Sequence, residues 1–431
     1  MRYVWLMFVL ISVTFDSCGI LVKDSEEERV TIKNMEFKNY ESEKDGVYTF
    51  SDSFEIIIDE TLEFNKFSIN YDSTSYIKGT ITYMLDEEYT EEFFLEPGED
   101  VTFSSLIDDF FKKKMAKSIS KITLSVLKDS CCEFKLNQVE TAKRKVPETT
   151  VFIENKHFKV GVDLLWGGGL NYIEDKKDSD NSITNLLNRH DTGRLVQQAY
   201  YGTREEPYVM GYYNGTPWSY NPVQGGDLHG NASKIVDFKV EKDSIYIKCR
   251  PRDWAKDASY TVSYMENRYR INGDVIDVYN RFVDFSGYKA KPRHQELPAF
   301  YVISYLDTFV FYNGNKPWEN DNLTFKENLP FWAGNKDAYF NVKEGNTETW
   351  CAWVDKNKYG IGLYVPDTEI LLAGMHVPDG SKSPYSSSTS YVAPLRTFEL
   401  KSFDPFEYSY IISTGQVDEM RNTFKEYFEN K

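Results

Sequence analysis

The stretch NLLNRHDTGRLVQQAYYGTREEPY, residues 185–208, packs groups that can carry a proton or grip a hydroxyl into one short run. Arg189, His190, Asp191, Arg194, Gln197, Gln198, Tyr200, Tyr201 and Arg204 all fall within it, in a chain with only 5 histidines. Three further clusters follow. PWSYNPVQGGDLHGN (217–231) holds Trp218, Tyr220, Gln224, Asp227 and His229; RHQELPAFY (293–301) holds Arg293, His294, Gln295 and Glu296; TETWCAW (347–353) sets Glu348 before Trp350 and Trp353. His190, His229 and His294 each stand close in sequence to a carboxylate. An imidazole beside a carboxyl can donate a proton while its neighbour accepts one. Adjacent Trp and Tyr rings offer a flat apolar platform, and Asn, Gln and Arg offer directed hydrogen bonds to hydroxyls. That combination suits chemistry on a sugar.

The candidate catalytic residues are therefore Glu296, His190, Asp191, Asp227 and His229. The candidate substrate-binding residues are Arg194, Gln198, Tyr200, Tyr201, Trp218, Gln224, His294, Glu348 and Trp350. Glycines punctuate the clusters: Gly193 is expected to turn the backbone in the first, and Gly225–Gly226 to turn it beside Asp227. Bland roles compete with each assignment. Asp191-Thr192-Gly193 is also an ordinary turn sequence, since an Asp side chain caps its own backbone. The same triplet marks aspartic proteases, but the second copy they need is absent from the sequence. Asp227 and His229 at a spacing of two could share a metal, yet no third ligand is identifiable, so neither metal nor cofactor is expected.

The elements that must hold these residues read as strands. Aromatics make up 16% of the chain, with 31 Tyr and 29 Phe, which suits pleated, half-buried surfaces. SIYIKCRP, RYRINGDVIDVYNRFVDF, AFYVISYLDTFVFYNG and FEYSYIIST are long aromatic strand sequences, and the Asn-Gly pair in INGD (271–274) predicts a hairpin turn. A short helix is expected at VDEMRNTFKEYF near the end. Residues 27–147 read as a smaller β-domain of short alternating runs, with one helix over about 104–118, and ETAKRKVPETT marks the junction. Residues 151–431 form the larger unit, which carries all four clusters.

Charge narrows the partners. The net charge of −17 and pI of about 4.9 oppose binding to nucleic acid or to an anionic membrane surface, both of which need a basic patch. Residues 1–19, MRYVWLMFVLISVTFDSCG, follow a signal-peptide pattern, so export is expected. The product is either free, after cleavage behind Gly19, or lipid-anchored through Cys18. No later segment is apolar enough to span a bilayer. The remaining four cysteines, Cys131, Cys132, Cys249 and Cys351, are too few for a disulfide-built scaffold. Oligomeric state is not legible.

At GVDLLWGGGLNYI, NLLNRHDTGRLVQQAYYG and RHQELPAFY, the chain resembles the galactose mutarotase-like group of carbohydrate-active proteins, over roughly residues 151–415. The resemblance implies a large antiparallel β-supersandwich that binds sugars on its concave face, behind a small β-sandwich module. It also implies Glu296 as base and His190 or His229 as acid. The export signal, the extra module and the aromatic loops favour an oligosaccharide or polysaccharide over a free sugar. Glycoside hydrolysis is the leading expectation. A polysaccharide lyase using Arg189, His190, Arg194 and Tyr200, a non-catalytic glycan-binding surface protein, and a mutarotase-like epimerase are the alternatives.

Overall fold

The computed structural model describes residues 27–177, 183–330, 338–342 and 348–430. The expected signal segment, with Cys18, lies outside them. Strands dominate, and the sheets are antiparallel. The chain is mainly β, with a large two-layer supersandwich behind a smaller pair of sheets.

Two sheets built from residues 28–143 face one another across the Phe54, Ile56, Ile69, Ile81 and Ile122 core. The alternation explains this, because every second side chain is buried from Phe54 to Ile58 and from Phe67 to Ser73. Val236, Tyr264, Val283 and Phe285 of the larger unit join the same core, so the two units share apolar surface. Ion pairs ring the join. Lys234 reaches Glu91 and, at 2.7 Å, Asp108, while Arg281 meets Glu96 at 2.5 Å and Arg144 meets Asp237 at 3.1 Å.

The helix expected over 104–118 is not formed. Gly98–Leu106 and Ala116–Val126 are strands, joined by a 3-10 turn at Phe110–Lys112. Asp109 and Lys113 flank that turn with φ of 65° and 61°, values that no right-handed helix accommodates. Burial of Phe103, Leu106, Ile107 and Phe110 outweighs the helical propensity of the lysine run. The final helix is present at Val417–Glu429 and begins with a capping box between Gln416 and Glu419. The INGD hairpin also forms, with Asn272 opposite Val275 and Gly273 at φ 63°.

Beyond residue 150, a nine-stranded sheet and a seven-stranded sheet pack face to face, with a three-stranded sheet beside them. The core between them holds Ile247, Met265, Phe282, Phe300, Val302, Trp353, Val392 and Tyr410. The seven-stranded sheet runs in space as Arg252–Asp253, Pro222–Val223, Gln197–Ala199, Arg293–Ile303, Thr389–Phe398, Ile370–His376 and Tyr339–Asn341. Its outer face carries the site. Cys132, Cys249 and Cys351 are buried free thiols, and Cys131 is an exposed one. Among the described residues, no helix is long and apolar enough to cross a membrane.

Candidate functional site

A cavity of about 1140 Å³ opens on the outer face of the seven-stranded sheet. Its floor is apolar and mostly small: Ala199, Val223, Ala299, Leu372 and Leu395 line it and belong to one cluster. Short side chains on the sheet leave the space, and loops supply the walls. One wall is Asp191–Arg194. The Asp227–Gly230 loop and Trp254 lie beside it, and Tyr213 and Trp218 come from the hairpin Gly211–Tyr213/Thr216–Trp218. Arg293, His294, Tyr339, His376 and Thr397 complete the lining.

Buried amides stand in for backbone and fix these walls. Gln197 donates to the carbonyls of Thr192 (3.2 Å) and Gly193 (2.8 Å) and accepts from Gly225 N–H at 2.7 Å. Asn188 donates to the carbonyls of Ser386 and Ser388, each at 3.0 Å, which ties the first cluster to the 384–388 loop. Gln295 accepts from Tyr201 N–H at 2.7 Å and donates back to its carbonyl at 2.9 Å. Gly193 is required for space rather than for a turn, because a Cβ there would sit 2.6 Å from the Trp254 ring. At Gly225 a Cβ would meet the Thr192 carbonyl at 2.1 Å.

Glu296 lies at the bottom of the cavity. Its strand pairs with the first cluster so that Ala199 stands opposite it. Tyr201 Oη, two residues on, donates to its Oε1 at 2.8 Å, and Tyr391 also hydrogen-bonds it. Burial dominates, and it pushes the Glu296 carboxyl up to about 7 against the downward pull of both tyrosines. The Tyr201 hydroxyl is driven well above its ordinary value, by burial first and then by the Glu296 charge. Tyr301 and Tyr391 pack with ring centroids 4.5 Å apart. Trp218 stands edge-on to Tyr213 at 5.2 Å and to Tyr201 at 6.4 Å, so the mouth is aromatic.

Around Glu296 stand the polar groups. Arg194 Nε pairs with Asp191 Oδ2 at 3.4 Å, and its guanidinium also donates to the Ser387 carbonyl. His294 Nδ1 contacts Thr397 Oγ1 at 3.0 Å. His376 is held below the usual imidazole range by burial and by the Arg194 charge, with Asp191 opposing. Arg293 stacks over the Tyr201 ring at 5.7 Å.

Of the residues expected from sequence, the cavity gathers Glu296, Asp191, Asp227, His229, Arg194, Tyr201, Trp218 and His294. Several differ in role. The Asp227 side chain is fully buried and taken up by its own loop. It accepts from the N–H groups of His229 and Asn231 (2.9 Å each) and Ala258 (2.8 Å), and from Asn231 Nδ2 at 2.8 Å. It pins the loop and offers no free lone pair for proton transfer. His190 does not line the cavity; its Nδ1 contacts the Tyr385 carbonyl at 2.9 Å, outside the wall.

Gln198, Tyr200 and Gln224 point into the sandwich instead. Tyr200 donates to Gln198 at 2.7 Å, Gln198 donates to the Glu266 carbonyl, and Gln224 donates to the Gly167 carbonyl. Strand alternation is the reason: residues 197, 199 and 201 face the cavity, so 198 and 200 face the core. Glu348 and Trp350 lie on the far side of the nine-stranded sheet, under the last helix. Glu348 accepts from Arg421 Nη2 at 2.6 Å, Arg421 Nε at 2.9 Å and Trp350 Nε1 at 2.9 Å, which makes it a buried ion-pair anchor.

Sequence reasoning missed Trp254, Tyr301, Tyr391 and His376. Tyr301 was concealed by a bulge: the register shifts between Glu296 and Phe300, so Ala299 and Tyr301, not 298 and 300, share the face of Glu296. Among the described residues, no group of three or more His, Cys, Asp or Glu side chains could hold a metal ion.

No protein-family model and no curated protein matches the chain. Solved structures do. A putative aldose 1-epimerase from Escherichia coli K12 is 11% identical, with a TM-score of 0.38, over 62% of this chain and 99% of that one. A galactose mutarotase-like protein from Lactobacillus casei is 13% identical, with a TM-score of 0.36, over 62% and 99%. A TPR-domain containing protein from Parabacteroides distasonis is 10% identical, with a TM-score of 0.36, over 86% and 56%.

Proposed function

We propose that this chain is an exported carbohydrate-active enzyme, secreted or lipid-anchored, and that it hydrolyses a glycosidic bond in the cavity, with Glu296 as the general acid. The observation that carries the reading is the Glu296 carboxyl itself: buried at the base of an aromatic cavity, hydrogen-bonded by Tyr201, and pushed by burial to about 7. A carboxyl poised there delivers its proton to a leaving oxygen near neutral pH. The lining rings of Trp218, Trp254, Tyr213 and Tyr301 suit stacking on sugar faces. The volume is at the upper end of small-molecule sites, which suits more than one sugar ring.

In the hydrolytic reaction, Glu296 protonates the glycosidic oxygen as the C–O bond breaks. A water attacks the anomeric carbon, and Asp191 takes its proton. Direct attack by that water, on the face opposite the leaving oxygen, inverts the anomeric configuration.

An epimerase is the second reading, and one observation favours it. Asp191 is already engaged by Arg194 and by Gly193 N–H at 3.0 Å, whereas no guanidinium is paired with Glu296 among the described residues. One carboxyl with a nearby histidine is enough to open and close a sugar ring. The lyase set of Arg189, His190, Arg194 and Tyr200 loses support, because His190 and Tyr200 lie off the cavity.

The test is a panel of neutral and uronic-acid glycans, read for new reducing ends, for ultraviolet absorbance of unsaturated products and for anomeric exchange. New reducing ends without absorbance support hydrolysis. Absorbance would establish elimination instead, and exchange alone would establish the epimerase.

A further inference from the structure

The cavity lining carries two guanidiniums, Arg194 and Arg293, beside three carboxyls, Asp191, Asp227 and Glu296. At a net −17, most cations on this protein have a carboxylate to pair with. Within the cavity, Asp191 is paired with Arg194 and Asp227 is taken up by its loop. Arg293 remains. Its Nη1 donates to the Gly202 carbonyl at 3.1 Å and its plane lies over Tyr201, yet it forms no ion pair among the described residues.

Arg204, two residues beyond the Gly202 carbonyl that Arg293 grips, is exposed, and it too forms no ion pair among the described residues. The neighbouring carboxylate of Glu205 is engaged by Lys291. Burial, and then the Arg204 charge, weaken the Arg293 cation. An anion beside Arg293 strengthens that cation again. A guanidinium fork matches the two oxygens of a carboxylate or a sulfate, and the Arg293 guanidinium lies 5.7 Å from the Tyr201 ring. Glu296, whose carboxyl burial holds up to about 7, adds little repulsion on the acid side of neutrality.

Resting on the reading of this cavity as a sugar site, we propose that its sugar carries an acid group, a carboxylate or a sulfate ester, and that Arg293 seats that group with help from Arg204. Such a ligand pairs the lining guanidinium that has no carboxylate partner among the described residues, and it makes the affinity salt-sensitive.

The experiment is calorimetric titration of residues 20–431 with matched oligosaccharides: galacturonic, glucuronic and mannuronic acid oligomers, their methyl esters, a sulfated galactan oligomer and its desulfated form. At least one acidic oligomer is expected to bind about tenfold or more tighter than its neutral counterpart at low salt, with the gap narrowing as salt rises. Arg293→Met should erase the gap and its salt dependence, and Arg204→Met should narrow it. Arg293→Gln serves if the Met variant does not fold. Preference for uronates or for sulfate identifies the source of the acid group. Equal binding of acidic and neutral forms, unmoved by Arg293→Met, would overturn the proposal and leave the sugar site standing. Absence of binding by every oligomer would overturn both.

Discussion

Tyr201 donates its hydroxyl to Oε1 of Glu296 at 2.8 Å, across two strands whose register sets Ala199 opposite Glu296. A phenol that donates to a carboxylate stabilises the ionised form, so it holds the Glu296 carboxyl lower than burial alone would. Removing it has a definite sign. Tyr201→Phe is expected to raise the titration of Glu296 by about one to two pH units, the equivalent of one hydrogen bond to a charged acceptor. Carbon NMR of labelled glutamate side chains reads this directly, and the basic limb of the activity profile should move with it. A downward shift would contradict the assignment of donor and acceptor.

Glu296 also costs stability. Its ordinary value is 4.5, and burial raises it to about 7 in the fold. Between those values the unfolded chain loses the proton while the folded chain keeps it, so stability falls as pH rises through that window and levels off above it. Glu296→Gln does not titrate. Urea unfolding is therefore expected to show little difference between the Gln variant and the parent below pH 4.5, and a gain for the variant of up to about 3 kcal/mol at pH 8. An equal gap at both pH values would show that Glu296 is not the shifted group.

Asp227 is predicted to be a loop pin. Asp227→Ala removes an acceptor for three backbone N–H groups and one side-chain amide, at a cost of about 3 kcal/mol. Hydrogen exchange at His229, Asn231 and Ala258 should accelerate together. Unchanged exchange and stability with abolished turnover would return Asp227 to the catalytic set.

The buried pair of Glu348 and Arg421 makes a complementary prediction. Glu348→Ala leaves Arg421 without its partner under the last helix, and denaturation should show a loss of about 3–5 kcal/mol. Glycan affinity of the folded fraction should be unchanged. Weakened binding without lost stability would place Glu348 at the sugar after all.

Much of this site was readable in the sequence, for identifiable reasons. Asp191 and Arg194 stand in a loop that forms one wall, and Trp218, His294 and Glu296 lie on strands that line the cavity. The β architecture followed from aromatic alternation. What failed was facing and distance. Gln198 and Tyr200 sit among cavity residues in the text, yet strand alternation sends them into the core. Glu348 and Trp350 resemble a sugar platform, but their partner, Arg421, is 73 residues away and meets them only through the last helix. Trp254 and His376 come from distant segments with no flanking cluster, so only the fold unites them with Glu296. The 104–118 segment has helical propensity, and burial of its phenylalanines overrode it.

The central claim is that Glu296 moves a proton on a bound sugar. The most direct measurement compares Glu296→Gln with the parent on one glycan substrate, recording binding by calorimetry and turnover in the same preparation. The account predicts affinity within a few-fold of the parent and turnover reduced by about two to four orders of magnitude, as expected for loss of a general acid. Undiminished turnover in the variant would contradict it, as would a parent protein that binds the glycan and leaves it chemically unchanged.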